Sequence, residues 1–343
     1  MNPPPLLSVV ILTRDEELNL PACLASLNPL GVPVFVVDSG STDGTVAIAR
    51  AAGAQVAAHP FETHTLQWRW ALENLPTATP WVLGLDADQR LTPELAVELR
   101  GMLADGGRAL DGVDGVYLNR RQIFRGRWIR HGGYYPKYLL KLFRRAAVRL
   151  DERDLMDHHF HVDGPTRRAG ADLVEENHKE DGILFWSAKH IRYADLHARE
   201  YLAREAGEWG ARARLGGTPD ERAAWLRRAG YRLPPYLRAV LYFLYRYVLR
   251  LGFLDGREGF VFHAMQGFWY RLLVDVRMEE IRHSCRVPTR ATAHAPDRGA
   301  TPFTGAPFTG APLPGTPLPG APLPGAPLPA VPEDTGRSKD ELP

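Results

Sequence analysis

The first 145 residues predict an α/β fold built on a doubly wound, mostly parallel sheet. Short apolar runs rich in β-branched residues alternate with segments whose apolar residues recur at helical spacing. The apolar runs are continuous, as expected of strands buried on both faces. Three of them end in acidic or hydroxyl-bearing clusters, and in such sheets ligands bind at the carboxyl ends of the strands.

The elements follow in order. Residues 7–12 (Leu-Ser-Val-Val-Ile-Leu) read as the first buried strand. Residues 16–27 read as a helix whose Leu20, Cys23, Leu24 and Leu27 share a face. Residues 32–37 are a second strand, and a helix over 41–52 follows, with hydroxyl residues and Asp43 at its start to cap it. Residues 55–58 form a third strand, 64–75 a third helix and 81–85 a fourth strand. Thr92-Pro93 opens a further helix, with proline in the favoured first turn.

Composition sets the limits. At 343 residues, with 45% apolar and 24% charged, the chain can bury a sizeable core. Disorder along its whole length and a polytopic membrane protein are both excluded. A net charge of +2 argues against nucleic-acid binding driven by bulk charge. Two distant cysteines, Cys23 and Cys285, make neither a disulfide framework nor a zinc site and read as buried thiols. The start of the chain has no basic n-region and only a short apolar run, so the expected location is the cytoplasm.

The strand ends carry the chemistry. Thr13-Arg14-Asp15-Glu16-Glu17 follows the first strand, Asp38-Ser39-Gly40-Ser41-Thr42-Asp43-Gly44-Thr45 the second, and Asp86-Ala87-Asp88 the fourth. No GxGxxG or GxxxxGK(S/T) is present, which removes a dinucleotide fingerprint and a P-loop. An acidic rim is a poor direct phosphate cradle. It suits contacts to a base and ribose, plus a divalent cation that carries the phosphates. Asp86 and Asp88 stand two apart and project to one side, and their hard oxygens favour Mg²⁺ or Mn²⁺. An isolated Asp-X-Asp more often solvates a turn; its place after a buried strand, beside two other acidic strand ends, favours the cation. Asp38 taken alone fits an Asx-turn as well as a ligand contact.

The order Val-Val-Ile-Leu-Thr-Arg-Asp-Glu-Glu-Leu-Asn-Leu, then Val-Val-Asp-Ser-Gly-Ser-Thr-Asp-Gly-Thr, then Leu-Asp-Ala-Asp resembles family 2 of the glycosyltransferases. Phe124 to Pro136, Leu142-Phe143-Arg144-Arg145 and Met156-Asp157-His158-His159 resemble its lipopolysaccharide-core glucosyltransferase branch, so that the likeness covers residues 6–285. The resemblance implies an inverting enzyme of GT-A fold that uses a nucleotide-diphospho-sugar donor with Mn²⁺ or Mg²⁺. Its acceptor would be a glycolipid or surface polysaccharide. Carried over by position, Thr13 and Glu16 would line the base and ribose pocket, with Ser41 beside them in the second cluster. Asp38 would hydrogen-bond the base, Asp86 would sit near ribose and metal, and Asp88 would ligate the metal. The family often continues this motif with Glu, where this chain has Gln89. Arg144, in its Leu-Phe-Arg-Arg setting, would face the diphosphate.

An inverting transfer needs a base at the acceptor hydroxyl. The candidate stretch is residues 152–161, where the family's acidic position holds His158, directly after Asp157. Asp157 is the expected base and His158 its rival, since imidazole can do the same work near neutral pH. Trp128, Tyr134 and Tyr135 could stack on sugars or pack in the core.

Four regions are expected: a nucleotide-sugar part over 1–145, an acceptor part over 146–195, amphipathic helices over 196–290, and a disordered tail over 291–343. The tail rests on a degenerate Gly-Ala-Pro repeat between Gly299 and Pro332. In the helices Leu237, Leu241, Leu244, Val248 and Leu251 form one stripe and Arg238, Arg246 and Arg250 another side. Such a segment either packs on the catalytic domain or lies peripherally on an anionic inner-membrane surface. Two rivals to the transferase come from other classes: a nucleotidyltransferase acting on a sugar phosphate, and a non-catalytic sugar-nucleotide-binding scaffold.

Overall fold

A computed structural model describes residues 5–76, 79–152, 154, 158–205 and 213–286. The four predicted strands are β1 (Leu7–Thr13), β2 (Val34–Asp38), β3 (Gln55–Ala58) and β4 (Trp81–Asp86), with α1 (Leu20–Leu27), α2 (Thr45–Ala51) and α3 (His64–Asn74) between them. They run parallel in the order β3-β2-β1-β4. The chain continues through β5 (Gln89–Leu91), α4 (Pro93–Leu103), β6 (Gly115–Phe124), β7 (Arg127–Trp128) and β8 (Tyr138–Arg144). β9 (Val148–Leu150), β10 (Phe160–Val162) and β11 (Thr166–Glu176) complete the strands. The main sheet has nine strands in the order β3-β2-β1-β4-β8-β6-β11-β5, with β7 on β6. β8 is antiparallel to β4 and to β6, whereas β11 runs parallel to β6, so the sheet is parallel in its first half and mixed beyond.

Successive strand residues point to opposite faces, and the core divides accordingly. Val9, Ile11, Val36, Leu83 and Leu85 pack beneath α1 and α4. Val10, Phe35, Val37, Val82 and Phe143 pack beneath Trp68 of α3 and Phe160. Gly84 of β4 permits the second packing. A Cβ there would stand 2.9 Å from ring carbons of Phe160 and 3.1 Å from Trp68. Neither ring can withdraw, because Trp68 is wholly buried and Phe160 nearly so. Gly84→Ala should therefore destabilise the fold by about 1–3 kcal/mol, the usual cost of overpacking, read as a lower midpoint in urea.

The helices are α5 (Ile183–Glu205), α6 (Pro219–Tyr231), α7 (Leu237–Leu244), α8 (Gly256–Phe262) and α9 (Tyr270–Arg286). α6 begins on a capping box, with Thr218 and Glu221 each satisfying the other's backbone N–H. Ala194, Ala198 and Tyr201 of α5 pack against Tyr270, Val274 and Met278 of α9. A π-helical turn at His263–Trp269 joins α8 to α9 and breaks the 100° step from residue to residue. Asp255, 2% exposed, accepts from His131 N at 2.8 Å and pins the loop after β7 to the helices.

α7 and the π turn that continues it over Tyr245–Leu249 are polarised opposite to a core-packed helix. Leu237, Leu241, Leu244, Val248, Leu249 and Leu251 all lie on the exterior. Two of the three arginines on the basic side turn inward. Arg238 is paired with Asp275 of α9, and Arg246 donates to Tyr242 and to the Gly132 carbonyl. Only Arg250 of the three is exposed. Hydropathy spacing identified the two sides but could not say which faced out. No helix among the described residues is long and apolar enough to cross a membrane.

Residues up to Thr289 belong to one compact unit, and 290–343 to a second. The second unit, and with it the expected Pro-rich disordered tail, lies outside the described residues.

Candidate active site

Because β2, β1 and β4 are parallel neighbours, their carboxyl ends open on one rim. Thr13 pairs in register with Asp38, and Leu12 with Asp86. Thr13 Oγ1 donates to Asp38 Oδ1 at 3.0 Å, while Gly40 N and Ser41 N donate to Oδ2 at 3.0 and 2.9 Å. Ser41 Oγ also donates to this carboxylate. With four acceptances and 4% exposure, Asp38 is committed to an Asx-type turn. Those acceptances shape the loop at the end of β2. Gly40 adopts φ +84°, a conformation that a side chain would strain even though nothing crowds the position.

The first two loops are laced together. Ser41 Oγ accepts from Asp15 N at 2.8 Å, Thr42 N donates to Asp15 Oδ1 at 2.7 Å, and Glu16 N donates to Thr45 Oγ1 at 2.7 Å. α2 begins only at Thr45, with Gly44 at its N-cap and no side-chain cap, so Asp43 accepts from Thr45 N at 3.0 Å in an Asx-type turn instead of capping the expected longer helix. Glu16 accepts from Asn19 Nδ2 at 2.8 Å and is ion-paired with Lys179, whose Nζ also donates to Asp15 O at 3.1 Å.

Asp86 and Asp88 stand where β4 passes into β5. Lys141 of β8, 4% exposed, donates to Asp86 Oδ2 at 2.8 Å. Asn177 Nδ2 donates to Asp88 Oδ2 at 3.1 Å. Burial above all, and then Glu175 and Asp86, raise the Asp88 carboxyl well above its usual range. Gln89 explains its own departure from the family pattern. Its Nε2 donates to Glu175 Oε2 at 2.8 Å and its Oε1 accepts from Asp86 N at 3.1 Å. A glutamate there would face Glu175 with like charge and lose the donor.

One of the expected site residues lies elsewhere. Arg144 pairs in register with Trp81, the first residue of β4, because β8 runs antiparallel to β4. It stacks on Trp81 at 4.8 Å and pairs with Asp114 at 3.3 Å, at the opposite end of the strands from Asp86. Antiparallel pairing makes Lys141, three residues earlier, the cation at the acidic rim. His158 is 8% exposed and packed among Trp68 at 5.3 Å, Phe160 at 4.9 Å and His64 at 6.0 Å between ring centroids. An enclosed aromatic setting is a poor one for a base that must reach an acceptor. Asp157 lies outside the described residues. Tyr135 donates to Asp172, Tyr134 packs on Phe262, and Trp128 lies between Arg121 and Arg130, so all three aromatics have structural partners.

Residue spacing missed Lys141, Lys179, Lys189, Glu175 and Asn177. A signal for the lysines was present. The chain has 42 basic residues and only five are lysine, at 137, 141, 179, 189 and 339. Lys141 and Lys179 pair with Asp86 and Glu16, and Lys189 pairs with Glu180 within reach of the Asp88 charge. A compact ammonium fits between carboxylates where a guanidinium fork would not.

Residues 8–162 match the model of the family described as Glycosyl transferase family 2. This segment is a family 2 glycosyltransferase domain. Over 155 residues the chain is 34% identical to the lipopolysaccharide core biosynthesis glycosyltransferase LpsC of Rhizobium meliloti, covering 42% of this chain and 53% of that one. Over 98 residues it is 38% identical to an uncharacterized glycosyltransferase of Rickettsia conorii, covering 29% of this chain and 34% of that one. The chain thus spans about a third to a half of the length of these relatives. Among solved structures, glucosyl-3-phosphoglycerate synthase from Mycobacterium tuberculosis bound to Mn²⁺, uridine diphosphate and glucosyl-3-phosphoglycerate is similar at TM-score 0.39. The identity is 18%, over 61% of this chain and 82% of that one.

Proposed function

We propose that this protein is an inverting glycosyltransferase of GT-A type. It moves a sugar from a nucleotide-diphospho-sugar to a glycolipid or surface-polysaccharide acceptor of the lipopolysaccharide-core kind. The observation that carries this reading is the acidic rim of β1, β2 and β4 within a family 2 domain. Thr13, Ser41 and Glu16 border the base and ribose pocket, and Asp38 holds its loop in shape.

The donor set fits Mn²⁺ or Mg²⁺. Asp88 is a hard oxygen ligand whose charge is crowded by Glu175 and Asp86, and a divalent cation would relieve that crowding. Among the described residues no group of three or more metal-binding side chains gathers. One or two carboxylates suffice when phosphates and water fill the remaining positions, as Mg²⁺ sites commonly show. The cation would neutralise the departing diphosphate. Lys141 holds the Asp86 carboxylate in place, Asn177 orients that of Asp88, and Asp157 takes the acceptor proton as general base.

A panel of nucleotide sugars, scored by thermal stabilisation with and without Mn²⁺ and by the product released, tests the assignment. Nucleoside diphosphate is the expected product. Pyrophosphate would mean a nucleotidyltransferase, and binding without turnover a scaffold.

The outward apolar face of α7 favours peripheral attachment to the cytoplasmic face of the inner membrane, driven by apolar insertion more than by charge. Leu244→Ser together with Leu249→Ser should weaken co-sedimentation with vesicles while sparing turnover on a small soluble acceptor. Because Arg238 and Arg246 face inward, moderate salt should reduce wild-type binding only slightly. Wild type that never sediments would remove the membrane from this reading.

A further inference from the structure

Behind the apolar face of α7, the inward side gathers positive charge. The Arg246 guanidinium donates to the Tyr242 hydroxyl at 2.6 Å and to the Gly132 carbonyl at 2.7 Å, and lies 4.4 Å from the Tyr134 ring centroid. Arg271 of α9 lies 5.1 Å from the Tyr242 ring centroid. Lys137, just before β8, adjoins Arg120 of β6, whose N–H donates to the Lys137 carbonyl at 2.8 Å, and the charges of Arg120 and of Arg227 on α6 both bear on its ammonium. Arg120 has a carboxylate partner, Glu175, at 2.9 Å. Among the described residues no carboxylate pairs with Lys137, Arg227, Arg246 or Arg271, although Arg238, Arg277 and Arg282 on the same helical elements all find acids. The Nε atoms of Arg120, Arg227, Arg246 and Arg271 are each buried without an acceptor. Unmatched cations with orphaned donors are costly to hold together, and an anionic ligand offsets that cost.

We infer that this cluster is an anion site that takes a phosphoryl group carried by the acceptor, an inference that rests on the transferase reading above. A single carboxylate would leave most of the charge unmet. A phosphomonoester or pyrophosphate brings more charge and presents oxygens in several directions to guanidinium forks. Lys137 is exposed, so the cluster can be reached from outside. It also adjoins the acidic rim, since Glu175 contacts both Arg120 and Gln89. An acceptor anchored there would bring a hydroxyl toward Asp88. The local titration behaviour agrees. Against desolvation, Arg246 and Arg271 draw the Tyr242 phenol below its ordinary value.

The test uses the full chain in EDTA with inorganic phosphate and inorganic pyrophosphate, read by thermal shift and calorimetry. Pyrophosphate should stabilise wild type more than phosphate. Lys137→Met and Arg227→Gln should each weaken that binding roughly tenfold, as expected for one charged hydrogen bond. Lys137→Met should itself raise the anion-free midpoint, because it removes a repelling charge; a merely structural lysine would lower it. Both variants should keep wild-type Mn²⁺-dependent binding of uridine diphosphate, which separates this site from the donor's diphosphate. Competition by glucose 6-phosphate or by phosphatidate vesicles tells a sugar-borne from a lipid-borne phosphate, and competition by neither overturns the proposal. So does a wild type that pyrophosphate fails to stabilise, or equal loss of uridine diphosphate binding in the variants. If wild type binds no uridine diphosphate with Mn²⁺ but keeps its pyrophosphate response, the transferase reading falls and the anion site stands.

Discussion

Asp88→Ala is expected to abolish Mn²⁺-dependent donor binding while the chain stays folded. Without that carboxylate the donor's diphosphate would meet Asp86, Glu16 and Glu175 with no cation held between them. Calorimetry with a nucleotide diphosphate, with and without Mn²⁺, measures it; unchanged metal-dependent affinity in the folded variant refutes the assignment. The raised proton affinity of Asp88 adds two further expectations. A carboxyl shifted upward binds its proton more tightly in the folded chain, so its contribution to stability is present at low pH and declines as pH rises through the shifted value. Once ionised, the group is therefore a local cost, and Asp88→Asn should raise the melting midpoint of the metal-free protein while losing donor binding. Since cation and proton compete for the same oxygens, Mn²⁺ affinity should fall as pH falls.

Asp157→Asn is expected to lower turnover roughly a hundredfold or more with donor affinity near wild type, the signature of a lost general base. The packed position of His158 sharpens the comparison. His158→Ala would empty a space between Trp68 and Phe160, so it should cost stability first and turnover only as a consequence. Parallel thermal melts and steady-state kinetics on both variants separate the two effects. An active Asp157→Asn beside a well-folded but inactive His158→Ala would move the base to the imidazole.

The amino-acid sequence by itself determined the alternation of strands and helices over the first hundred residues, and with it the rim on which Thr13, Asp38 and Asp86 converge. That was legible because buried parallel strands are written as continuous β-branched runs, and parallel neighbours must place their ends together. The tertiary structure alone decided where Arg144 and Lys141 stand. An antiparallel return strand reverses which of its residues meets the site, and that direction is a property of pairing between segments some sixty residues apart, not of any local pattern. It also decided that the carboxylate of Asp38 serves its own loop, since competition for one acceptor depends on donors from β1 and from the turn together. For α7 the periodic pattern marked an apolar side and a basic side, yet not their orientation. Asp275 and Tyr242 capture the arginines inward and leave the leucines outside, because a desolvated arginine must find its partner where the fold supplies one.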